Sequence, residues 1–75
     1  MLSLKMSRLK FERLRRGLSQ QALGRLAQIA GPDISKIERG IQQPYPNQRT
    51  RLAAVIGISP EALLSETIPL DIAES

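Results

Sequence analysis

Cysteine and histidine, which carry much of the reactive and metal-binding chemistry of small proteins, are both missing from this chain of 75 residues. Their absence excludes disulfides, thiol chemistry and the two commonest soft metal ligands. It also leaves no ready general base near neutral pH. No nucleophile–base pair, metal-ligand cluster or phosphate-cradling glycine loop can be assembled from what remains. The expectation is a protein that is not an enzyme and that has no metal or cofactor. Long apolar runs are lacking too: none approaches the roughly 20 residues that span a bilayer. The N-terminal alternation of Leu2, Leu4 and Met6 is not the continuous apolar core of a signal peptide. Together with the missing cysteines, this is the composition expected of a cytoplasmic protein without a membrane partner. The length allows one domain, whose modest core needs tight helix packing or dimerisation to be stable.

Charge is present in quantity but is distributed unevenly. All eleven basic residues lie between Lys5 and Arg51, against only Glu12, Asp33 and Glu38. After Arg51 the chain carries Glu61, Glu66, Asp71 and Glu74 and no base. A basic body followed by an acidic tail points to a polyanionic partner for the body.

Residues 18–40, LSQQALGRLAQIAGPDISKIERG, organise the rest. They hold two short helical patterns joined by a few residues. Ser19 is placed to cap the first, over 20–28, with Leu23, Leu26 and Ala27 facing inward. Gly24 inside that helix costs about 1 kcal/mol relative to Ala, and its use would be the close approach of the next helix. Gly31, Pro32 and Asp33 open the second pattern, over 31–39, with Pro where its missing N–H does no harm and Asp favourable to the helix dipole. Ile34 and Ile37 face inward, and Gly40 ends it.

Before this pair, a helix is expected over 5–16, ended by Gly17. Its apolar residues form two stripes, Met6 with Leu9 and, opposite, Phe11 with Leu14, so two neighbours are expected. After the pair, the proline-rich connector IQQPYP leads to a fourth helix over 47–56, capped by Asn47 and burying Leu52, Val55 and Ile56. Ser59-Pro60-Glu61 starts a brief fifth helix over 60–65. The tail has Ile68, Leu70 and Ile72 at strand periodicity, interrupted by Pro69. Residues 1–66 form the domain and 67–75 a C-terminal tail.

In their order and spacing, Leu18-Ser19-Gln20, Leu23 with Ala27, Ile34 through Gly40, Pro44, Leu52-Ala53 and Gly57-Ile58-Ser59-Pro60-Glu61 resemble the Cro/phage-repressor (Xre-type) helix-turn-helix family. The likeness runs from about residue 9 to residue 64. It implies an all-α, compact five-helix domain of the lambda-repressor type, binding double-stranded DNA to regulate transcription and acting as a homodimer. It also implies a phosphate contact at Gln20 and an ion pair between Arg13 and Glu38. Three positions depart from the family pattern. Gln28 stands where Gly usually takes a left-handed turn, Ala30 where Ser or Thr caps the third helix, and Arg49 where Leu is commonly buried.

With the third helix as the reading helix, Gly31, Pro32, Asp33, Ser35 and Lys36 project into a major groove. Lys36 can donate to guanine, Asp33 can accept from cytosine, and Gly31 permits close backbone approach. Ser19 and Gln20 at the start of the second helix, together with Arg39, Gln42 and Gln43, are positioned for the DNA backbone. Ordinary roles compete with these: Lys36 and Arg39 as solvated charges, Asp33 as a helix-start residue. Leu63, Leu64, Ile68, Leu70 and Ile72 are the expected dimer contact, against a tail that folds onto its own first helix or stays disordered. The competing function is a protein-interaction module, such as an antitoxin paired with a toxin.

Overall fold

The computed structural model describes residues 6–67. It runs β1 (Met6–Ser7), α1 (Arg8–Arg15), α2 (Gln20–Ala27), α3 (Gly31–Glu38), α4 (Pro46–Ile56), a single 3-10 turn at Pro60–Ala62, and β2 (Glu66–Thr67). Four helices pack round an aliphatic core built from Leu9, Leu23, Ala27, Ile34, Ile37, Leu52, Ile56 and Leu63.

Helix α1 starts three residues later than the pattern predicts, because Met6 and Ser7 pair antiparallel with Thr67 and Glu66. Ser7 then caps α1, its Oγ accepting from the Lys10 N–H at 3.1 Å. The Arg8 and Leu9 N–H groups donate to the carbonyls of Ser65 and Leu63, at 2.8 and 2.9 Å. Three donors that a helix start leaves orphaned are thereby satisfied. This also explains why the expected fifth helix shrinks to a 3-10 turn. The Leu63 and Ser65 carbonyls bond to α1 and are lost to further helical turns.

Two inward assignments are corrected. Leu26 is 59% exposed, since it sits about 60° round the helix from Leu23 and about 100° from Ala27, at the edge of the buried face. Of the two stripes on α1, Leu9 faces the core while Leu14 is half exposed. Met6 belongs to β1 and not to the helix. The Arg15 guanidinium lies 5.8 Å from the centre of the Phe11 ring. Helix α4 begins at Pro46 with Tyr45 as its cap, not Asn47. Pro fits the first helical position, and Gln48 reaches back to accept from the Tyr45 N–H at 3.0 Å. Arg49 is half-buried, and its Nε, buried, has no hydrogen-bond partner among the described residues.

Candidate nucleic-acid interface

The turn between α2 and α3 sets the geometry of the site. Gln28 ends α2 in the left-handed region, at φ 61° and ψ 46°, the conformation for which glycine is the usual residue. The chain then doubles back so that the Ile29 N–H donates to the Gly24 carbonyl at 2.8 Å. The Ile29 carbonyl comes so near Gly24 that a Cβ there would collide with it. The glycine inside α2 is therefore required by the turn that follows, more than by α3 itself. Ala30 precedes α3 without a side-chain cap, but the Asp33 and Ile34 N–H groups are satisfied by its carbonyl at 2.9 and 3.1 Å. Arg51 reaches across from α4 and donates through Nε to the Ala27 carbonyl at 2.7 Å, closing the C-terminal end of α2.

Two ion clusters tie α1 to the rest of the fold, one to the α2–α3 pair and one to α4. Arg13 grips Glu38 at two points, Nε to Oε2 at 2.6 Å and Nη2 to Oε1 at 3.1 Å, and its Nη1 donates to the Leu18 carbonyl at 2.8 Å. The ion pair implied by the family resemblance is thus present, and it fastens the end of α3 to α1 and to the start of α2. Next to Arg13 on α1, buried Glu12 meets Arg8 at 2.9 Å, Arg16 at 2.6 Å and Arg15 at 3.7 Å. Arg16 also donates to the Ile56 carbonyl at the end of α4. The hydrogen bond from Arg16 holds the Glu12 carboxyl below the usual glutamate range; burial opposes it, and Arg8 and Arg15 add to it.

Gln20, Ser35 and Arg39 line one cleft of about 730 Å³. Gln20, Gly31 and Pro32 line a smaller one of about 380 Å³ between the starts of α2 and α3. Gln20 joins the two. Its Nε2 donates to Glu38 Oε1 at 3.1 Å, so the amide faces an internal carboxylate as well as the surface. Lys36, Pro32 and Ser19 are exposed, while Asp33 and Ser35 are half-buried. Lys36 lies outside both clefts, on the open edge of α3. Its carbonyl accepts from the Ile41 and Gln42 N–H groups, at 2.9 and 3.3 Å, which carries Gln42 back toward α3; Gln43 points to solvent.

Of the expected dimer residues, Leu63 is wholly buried in the core of the domain and has no surface to offer a partner. Leu64 is partly buried against that core. Ile68, Leu70 and Ile72 lie outside the described residues. Three residues that sequence reasoning omitted share the clefts, Ser7 and Lys10 in the larger and Gln21 in the smaller. Lys10 was within reach of it: it stands one helical turn before Arg13, on the side of α1 that the ion pair turns toward α3.

Among the described residues no group of acidic side chains is placed to hold a metal ion, and no helix is long and apolar enough to cross a membrane. No curated protein and no solved structure matched the chain. The family model for the helix-turn-helix domain matches residues 7–66, from the cap of α1 into β2. By that match the chain belongs to the helix-turn-helix domain family, of the Xre/Cro-like kind.

Proposed function

We propose that this protein is a sequence-specific DNA-binding regulator of transcription, a cytoplasmic repressor that binds an inverted-repeat operator as a homodimer. The observation that carries the reading is the exposed edge of α3 around Lys36, held at a fixed attitude by the Arg13–Glu38 pair inside a helix-turn-helix domain. Gly31, Pro32, Asp33, Ser35 and Lys36 read base edges in the major groove. Ser19, Gln20, Arg39, Gln42 and Gln43 set register on the backbone. Two recognition helices about 34 Å apart enter successive major grooves on one face of the duplex. No catalytic step and no cofactor enters this scheme. Selection from a random duplex pool tests it. Enrichment of a palindromic site supports the reading, and a pool that stays random after repeated rounds overturns it.

A second reading has its own support. Leu14, Leu26 and Ile41 are large apolar side chains left at the surface, and such exposure suits a module that pairs with another protein, as an antitoxin does with its toxin. Stable co-elution with a small partner encoded beside it, combined with a failed duplex selection, would favour this alternative.

A further inference from the structure

The larger cleft lies between the start of α1, the start of α2 and the end of α3, and its walls carry two cations, Lys10 and Arg39. Neither has an ion-pair partner among the described residues; Arg39 makes only a long 3.4 Å contact to the carbonyl of Ser35, one turn earlier. Among the described residues the one acid in the wall, Glu38, has both oxygens occupied, by Arg13 at 2.6 and 3.1 Å and by Gln20 at 3.1 Å. Its charge is cancelled internally. The cleft therefore presents positive charge that no described acid compensates, together with the hydroxyl of Ser7. The Ser7 oxygen accepts from the Lys10 N–H, which leaves the Ser7 hydroxyl proton free to donate outward.

Arg39 follows Lys36 by three residues, so the cleft opens one helical turn beyond the reading edge. Lys10 faces it from α1, on the opposite wall. We infer that this cleft seats the sugar–phosphate strand flanking the half-site, with Lys10 and Arg39 on its two sides. Helix α1 would then be part of the DNA interface as well as a brace. The inference rests on the DNA-binding reading above and adds Lys10 as a positioning residue. Contacts of this kind fix register and supply affinity without reading sequence.

The test is the salt dependence of duplex binding by the full chain. Each phosphate neutralised contributes about 0.9 to the slope of log affinity against log salt concentration. With one such contact in each half-site of the dimer complex, Lys10→Gln should lower that slope by about 1.8 and weaken binding to a selected and to a random duplex by the same factor. Arg25→Gln is the control, because Arg25 is exposed near the far end of α2, away from the cleft. It should leave the slope unchanged. A slope that survives Lys10→Gln, or an equal fall for both variants, overturns the inference while leaving the DNA-binding reading standing. If the unaltered protein binds no duplex, that reading fails and the inference falls with it. Circular dichroism on each variant separates lost contact from lost fold. Should Lys10→Gln unfold, Lys10→Arg restores the charge and must restore the full slope.

Discussion

Arg13 and Glu38, 25 residues apart in the chain, meet through two parallel hydrogen bonds with both side chains almost wholly out of water. A guanidinium fork matched to a carboxylate fixes orientation as well as distance. The attitude of α3 relative to α1 is therefore set by one pair of side chains, and the reading edge inherits its direction from it.

Replacing one partner leaves the other buried and uncompensated, which costs about 3–5 kcal/mol. Glu38→Ala should lower the midpoint of thermal unfolding by well over 10 °C, since about 1 kcal/mol corresponds to about 4–8 °C in a domain of this size. Arg13→Lys should also destabilise, because an ammonium cannot make the paired contact. Calorimetry checks both; a loss below about 1 kcal/mol for Glu38→Ala would show that water already screens the pair.

Glu12 gives the fold a pH dependence. Its folded-state pKa is depressed, so proton uptake favours the unfolded chain. The stabilisation is complete above the ordinary value of 4.5 and is lost as pH falls through the lower folded value. Glu12→Gln should cost about 1–3 kcal/mol at neutral pH. The gap between the two proteins should close as pH is lowered below 4.5. Denaturant titrations at several pH values measure it, and a gap that stays constant into strong acid contradicts the assignment.

Gly24→Ala sets helix propensity against the turn. Propensity alone favours Ala by about 1 kcal/mol. The new methyl, however, meets the Ile29 carbonyl, a backbone atom fixed by the turn, and overpacking of that kind costs about 1–3 kcal/mol. The variant should be less stable than the parent. A gain in stability would show that the turn can shift aside.

On DNA, Lys36 and Arg39 should separate. Lys36→Ala should weaken binding and relax sequence preference, at about 1–3 kcal/mol of discrimination. Arg39→Ala should weaken binding evenly across sequences. Binding curves on a selected and a random duplex decide between them. Equal losses on the two duplexes for Lys36→Ala would remove it from base reading.

Much of this arrangement was legible in the chain itself, where local chemistry decides. Ser19 caps α2 as its side chain requires, its Oγ accepting from the Ala22 N–H, and Pro32 and Asp33 open α3. Gln28, by contrast, takes the left-handed conformation usual for glycine although its own chemistry does not favour it. Other features depend on partners distant in sequence. A two-residue strand has no periodicity to detect, so β1 displaced the start of α1 unannounced. Arg16 and Arg51 bond to backbone carbonyls at the ends of α4 and α2, and a carbonyl leaves no mark in composition. The turn of Gln20 toward Glu38 follows from where the ion pair sits, which only the packed helices determine.

The pairing of Met6 with Thr67 makes the described domain nearly a ring. Positions 6 and 67 lie a strand spacing apart, about 5 Å, so a short linker could join them, and the chain could be opened instead at the exposed connector around Gln43. Such a circular permutant would keep α2, the turn and α3 as one uninterrupted segment.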